Sequence, residues 1–241
     1  MSPQLLQSMS IDDCELERER IDIWEFSLTD LPIQAKNLLN GDELQRANRF
    51  HFPRHHRRFI VARAMMRTIL ANYLNEKPEQ LDFSYNQHGK PLINHPHRIE
   101  FNLSHSDDLA LLAIGQYFPL GVDLEYFSAR PYEGIGKNLF SIAEINELSR
   151  QPNSLKSLVF FHIWAQKEAF IKACGMGLAY PTEQFTVPAL ASMDSDIFDS
   201  LHGNAWKMKS FMPKIACSAA LCYNPEVTVL RKITVNPEDI L

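Results

Sequence analysis

The chain has 241 residues, 45% of them hydrophobic and 22% charged, with a formal net charge of −5. That size and balance permit a sizeable buried core and exclude a disordered or fibrous polymer, and the acidic sum argues against binding nucleic acid through general basicity. No stretch approaches the roughly 20 apolar residues of a membrane span and the first residues are too polar for a secretory signal. Cys14, Cys174, Cys217 and Cys222 form neither a C-x-x-C pair nor a zinc spacing, so reduced thiols in a cytoplasmic protein are expected.

Arginines gather early, at Arg46, Arg49, Arg54, Arg57, Arg58, Arg63 and Arg67. Pro53 bounds this run, and the apolar stripe Phe59, Ala62, Met66, Ile69, Leu70 and Tyr73 predicts an amphipathic helix over 55–74. Local basicity in an acidic chain points to an anionic ligand or to a solvated helix face. With Phe50, Phe52, His51, His55 and His56 alongside, the strip also has the elements of a phosphate-and-base contact. The chain carries no nucleic-acid recognition motif, however, and no such partner is expected.

Short strands are predicted at 81–85, 91–93, 99–103 and 109–114. The run Phe101-Asn102-Leu103-Ser104-His105-Ser106 closes one of them. On an extended segment Ser104 and His105 diverge, which counts against a nucleophile and base pair; such a run suits hydrogen bonding to a phosphate or nucleotide, or a structural histidine. Gly115-Gln116-Tyr117-Phe118-Pro119 reads as a turn and as the boundary between subdomains 1–119 and 120–241, with the flanking strands free to pair as a hairpin.

In Gly121-Val122-Asp123-Leu124-Glu125 the alternation predicts a strand whose two carboxylates share a face. They are either half of a magnesium site or two acids on a solvated edge. A short helix over 143–148 precedes a long one over 155–174 containing Trp164-Ala165-Gln166-Lys167-Glu168-Ala169-Phe170-Ile171-Lys172. Glu168 and Lys172, four apart, lie on one face, as a site or as an ordinary helix ion pair. Strands follow at 184–187, 205–211 and 215–223, with a loop over 188–202 whose Asp194, Asp196 and Asp199 lack calcium-loop spacing and read as solvated.

Taken in order, FNLSHS, GVDLE, the F-S-x-x-E element Phe140-Ser141-Ile142-Ala143-Glu144 and WAQKEAFIKACGMGL resemble the signatures of the long, single-chain 4′-phosphopantetheinyl transferases, over a span from about Arg46 to Leu178. The resemblance implies an α+β fold of two similar subdomains related by pseudo-twofold symmetry. Each would be a small, mainly antiparallel sheet packed with a long helix, with coenzyme A in the crevice between them. It implies Mg²⁺-dependent transfer of the phosphopantetheine arm of coenzyme A to a serine of an apo acyl or peptidyl carrier protein, releasing 3′,5′-ADP.

Carried over by residue, Asp123, Glu125 and Glu168 match the metal-binding acids. Glu168 also matches the general base, and Lys172 the lysine at the β-phosphate. Ser104 and His105 match contacts to the nucleotide end, with His105 near the 3′-phosphate, and Lys90 a further coenzyme A contact. Arg58 matches a phosphate contact, Arg46 and Arg49 more loosely. A carrier surface is expected around Arg130, Lys137, Leu139, Phe140 and Lys156. A monomer is expected, since one chain completes the site. A non-catalytic coenzyme-A-binding regulator of the same fold is the alternative, and the complete acid set argues against it.

Overall fold

The computed structural model describes residues 13–128, 133–190 and 194–241. Arg20–Ser27 forms β1, then come helices α1 (Gly41–Asn48) and α2 (Pro53–Leu74), a two-residue hairpin of β2 (Ser84–Tyr85) and β3 (Pro91–Leu92), and strands β4 (Ile99–Ser106) and β5 (Leu109–Gln116). The second half runs through β6 (Gly121–Tyr126), α3 (Glu133–Leu139), α4 (Ile142–Arg150), α5 (Asn153–Cys174), β7 (Asp194–Asp199), β8 (Asn204–Phe211) and β9 (Cys217–Tyr223). β10 (Val229–Val235) and α6 (Pro237–Ile240) end it.

The helix ends follow from local chemistry. Pro53 opens α2 at a position whose N–H has no helical partner, and Asn75 closes it in the left-handed conformation. Gly175 ends α5 in the same way. In α1 and α4 a capping box sets the start, Asn40 with Glu43 for α1 and Ser141 with Glu144 for α4.

One sheet has the order β10-β1-β5-β4 and the other β6-β9-β8-β7. All pairings are antiparallel except β1 with β10. In each half the first strand lies beside the last strand of a hairpin formed after the long helix, β1 beside β5 and β6 beside β9. The duplication extends to the ion pairs. Glu43 accepts from Arg63 and Arg67 on α2, and Glu144 pairs with Lys167 on α5 at 3.0 Å. Arg67 and Lys167 occupy the same place in two 22-residue helices.

Packing is layered. One face of the first sheet buries Trp24, Phe26, Phe101 and Leu112 against α2, and the second sheet buries Trp206, Met208 and Cys222 against α5. The remaining faces meet each other through Ile23, Leu111, Val122, Leu124 and Leu221. β5 is apolar on both sides because alternate residues enter different clusters.

Several expectations change. The strands flanking residues 116–121 do not form a hairpin; β5 pairs with β1 and β4, while β6 pairs with β9. β10, within the expected second subdomain, returns to the first sheet, where Trp24 lies opposite Ile233. Residues 182–184 form a 3₁₀ turn rather than the start of a strand, and the expected loop contains β7. Asp199 is buried, with Tyr180 Oη donating at 2.6 Å and His202 Nδ1 at 2.7 Å, so it is not a solvated acid. Among the described residues no helix is long and apolar enough to cross a membrane.

Candidate active site

β6 starts against the long helix α5. A Cβ added to Gly121 would lie 2.1 Å from the Ala169 carbonyl oxygen and 2.3 Å from the Ala173 nitrogen, so only glycine permits this approach. Two residues on, Asp123 meets Lys172. Lys172 Nζ donates to Asp123 Oδ1 at 2.5 Å and to Ser104 Oγ at 3.0 Å, and Ser104 Oγ in turn donates to Asp123 Oδ1 at 2.8 Å. Asp123 is 3% exposed, and its Oδ2 is buried without a hydrogen-bond partner among the described residues.

Glu125 is held at both oxygens. Ser106 Oγ donates to Oε2 at 3.0 Å and Trp164 Nε1 to Oε1 at 3.2 Å. Burial, followed by the charge of Asp123, raises its carboxyl above the usual range. Glu168, one turn before Lys172 on α5, is pushed up to about 7, chiefly by burial and then by Asp123; Lys172 opposes the shift and Glu125 adds to it. Three acids and one ammonium therefore share one electrostatic neighbourhood where β4, β6 and α5 meet.

Among the described residues no three His, Cys, Asp or Glu side chains converge tightly enough to hold a metal ion by themselves. The three acids expected as one ligand set are neighbours in charge, but Lys172 occupies one Asp123 oxygen and Ser106 and Trp164 fix Glu125. The donor chemistry nonetheless fits Mg²⁺, which takes one or two carboxylates and completes its shell with phosphate oxygens and water. Asp123 Oδ2 is an acceptor with no other partner among the described residues, and burial followed by the charge of Asp123 destabilises the ionised forms of Glu125 and Glu168 beside it.

Two cavities flank the acids. One, of about 220 Å³, is bordered by His88, Lys90, Asn102, Ile171, Lys172 and Gly177. The other, of about 200 Å³, is bordered by Ser106, Glu125, Tyr126, Phe160, Phe161 and Trp164. The first is cationic at its edge and the second aromatic.

The other expected contacts have internal partners. Ser104, expected at the nucleotide, is buried between Asp123 and Lys172. Lys90 Nζ donates to the Leu120 carbonyl at 3.0 Å, and burial lowers its pKa. Arg58 forms a fork with Asp108, Nε at 2.8 Å and Nη2 at 3.1 Å. Arg46 stacks over Phe59, and Arg49 donates to Gln45 at 3.2 Å. His105 keeps an exposed edge, yet partial desolvation and the neighbouring Lys172, Arg58 and His55 hold it below its usual pKa. Arg63 and Arg67 are buried on Glu43 with Phe83 beneath both, which removes them from any continuous basic strip.

Of the expected carrier surface, Lys137 is exposed, Phe140 is a core residue at 2% exposure, and Arg130 lies outside the described residues. Trp164 opens the long-helix motif, which assigns it no role of its own. Its bond to Glu125 carries no sequence signal, whereas the alternation of Asn102, Ser104 and Ser106 does show a polar face on β4.

The sequence model of the 4′-phosphopantetheinyl transferase superfamily matches residues 119–216, and that of the 4′-phosphopantetheinyl transferase N-terminal region matches residues 23–116. The 4′-phosphopantetheinyl transferase HetI of Nostoc sp. is 35% identical over 212 residues, covering 84% of this chain and 87% of its own. This chain belongs to the 4′-phosphopantetheinyl transferase superfamily. The transferase psf-1 of Bacillus pumilus is 33% identical over 64% of this chain and 65% of its own, and Sfp of Bacillus subtilis 27% over 63% and 66%. The two matched regions abut at the β5 to β6 turn, so the cluster described above draws Ser104 and Ser106 from one region and Asp123, Glu125, Glu168 and Lys172 from the other.

Proposed function

We propose that the protein transfers the 4′-phosphopantetheine arm of coenzyme A to a serine of an apo acyl or peptidyl carrier protein, with Asp123, Glu125 and Glu168 directed to Mg²⁺ and Lys172 to the pyrophosphate. The observation that carries this reading is the meeting of Lys172 with Asp123 beside two further acids of raised pKa.

In the reaction the carrier serine oxygen forms a bond to the β-phosphorus of coenzyme A, the bond from that phosphorus to the bridging oxygen breaks, and 3′,5′-ADP leaves. Negative charge grows on the bridging oxygen. Lys172 lies at the edge of the cationic cavity and neutralises that charge in place. Glu168, with its pKa near neutrality, accepts the serine proton. Ser104 fixes Asp123, while Ser106 and Trp164 fix Glu125, so the acids need little rearrangement. A bound Mg²⁺ supplies charge neutralisation at the pyrophosphate oxygens.

The 220 Å³ cavity beside Lys90 and Lys172 receives the phosphate end, and the aromatic cavity beside Trp164 opens to the arm and the incoming serine. Arg58, Arg46, Arg49 and His105 supply the anion contacts to the nucleotide once their present partners yield, and His105 takes the 3′-phosphate. The protein works in the cytoplasm as a monomer. Incubation with coenzyme A, Mg²⁺ and an apo carrier should add one phosphopantetheine by mass spectrometry, and EDTA should abolish it. Coenzyme A binding without transfer to any of several carriers would favour a regulatory protein instead.

A further inference from the structure

β4 presents three polar side chains at alternate positions, Asn102, Ser104 and Ser106, and each reaches the neighbouring strand β6. The Val122 N–H donates to Asn102 Oδ1 at 2.8 Å, Ser104 Oγ donates to Asp123 Oδ1 at 2.8 Å, and Ser106 Oγ donates to Glu125 Oε2 at 3.0 Å while accepting the Tyr126 N–H at 3.1 Å. The two strands belong to different sheets and share no backbone ladder. Side chains of β4 thus replace the missing ladder, and two of the four contacts end on the acids themselves. Because residues i, i+2 and i+4 of a strand share a face, all three groups advance along β6 in step.

We propose that this row is a positioning device in which Ser106 orients Glu125, Ser104 orients Asp123, and Asn102 fixes the register at which both are presented. Ser106 is the clearest case. The Tyr126 amide fixes the Ser106 oxygen, so the hydroxyl proton is directed to Glu125 Oε2, and Trp164 holds the opposite oxygen. Both contacts leave lone pairs on the carboxylate facing away from them. Without Ser106 the carboxylate is free to turn about Trp164, although its position along the strand is unchanged. This inference rests on the reading that Asp123 and Glu125 face the metal.

The test compares Ser106→Ala, Ser106→Thr and Glu125→Gln in the full chain, using Mn²⁺ as a paramagnetic probe in the presence of 3′,5′-ADP. Binding is read by electron paramagnetic resonance, beside the Mg²⁺ concentration giving half-maximal transfer. Loss of a group that orients a ligand typically weakens metal affinity by about 10–100-fold. Ser106→Ala should therefore bind Mn²⁺ roughly 10-fold more weakly, with a melting temperature near that of the parent, and Ser106→Thr should restore binding. Parental Mn²⁺ affinity in Ser106→Ala, or a Thr variant as weak as the Ala variant, overturns the proposal. If Glu125→Gln keeps parental Mn²⁺ binding, the metal reading itself fails; if only Glu125→Gln loses it, the acids meet the metal but Ser106 does not position them.

Discussion

Lys172 Nζ stands 2.5 Å from Asp123 Oδ1, which joins the long helix to the acidic strand. Replacing Lys172 by Met keeps most of its volume and removes the charge. Loss of one preorganised electrostatic contact to a developing anion typically costs about 10²–10³ in kcat. Lys172→Met should lose turnover on that scale, with a smaller change in the KM for carrier protein. Steady-state kinetics with both substrates varied tests this, and an unchanged kcat would remove Lys172 from the pyrophosphate.

Glu168 is the candidate base, and its pKa near 7 makes it sensitive to pH in the metal-free protein. Metal binding needs the ionised carboxylate. Affinity for Mn²⁺ should therefore rise with pH through about 7 and flatten above it, and Glu168→Gln should remove this rise and cut kcat by about 10²–10⁴. A pH titration of Mn²⁺ binding in the two proteins distinguishes them.

The same shift affects stability. A carboxyl whose pKa is raised by folding favours the folded state most below its unfolded pKa, and loses that contribution as pH rises through the folded value. For Glu168 the loss falls between its ordinary value of 4.5 and about 7. Glu168→Gln should accordingly melt higher than the parent at pH 8 without metal and show no such gain at pH 4. Thermal scans at the two pH values settle the sign.

Gly121 has no room for a side chain, because the first atom of one would enter the backbone of α5 at Ala169. Gly121→Ala should force β6 from the helix and separate Asp123 from Lys172. Overpacking of this kind costs typically about 1–3 kcal/mol, and backbone contact puts it at the upper end or beyond. Denaturant unfolding and transfer assays should both show the loss. A variant of parental stability and activity would mean that the close approach is not needed.

Glu144 and Lys167 form a buried pair in the second half, and Lys167 Nζ also donates to the carbonyls of Thr182 at 2.6 Å and Phe185 at 2.8 Å. Burial raises the Glu144 carboxyl and lowers the Lys167 ammonium, and each charge opposes the other's shift. Removing one partner strands the other, at a cost of about 3–5 kcal/mol. Glu144→Gln should lower the melting temperature by roughly 6–20 °C, and the double variant with Lys167→Met should recover part of it.

The elements that the sequence made legible are those with strong periodicity. The 3.6-residue stripe marked α2, the run Trp164–Lys172 marked α5, and the alternation in GVDLE placed Asp123 and Glu125 on one face of β6. β1, β7 and β10 were hidden, because β1 is buried on both faces, Asp194-Ser195-Asp196 looks like loop and β10 is a partly exposed strand carrying Arg231 and Lys232 at its centre. The motif order was enough to name the family, since each short motif is weak but the ordered series is not.

Sequence by itself determined which chemical groups the protein owns and, through the short-range spacing of Glu168 and Lys172 on one helix, part of their arrangement. Only tertiary structure decided what each group faces. It committed Arg63 and Arg67 to Glu43, Arg58 to Asp108 and Ser104 to Asp123, and brought Trp164 to Glu125. The physical reason is range. Helix and strand periods fix neighbours within a few residues, whereas a hydrogen bond between residues 39 or 68 apart, as in Trp164 with Glu125 and Lys172 with Ser104, exists only after both sheets and the long helix have packed.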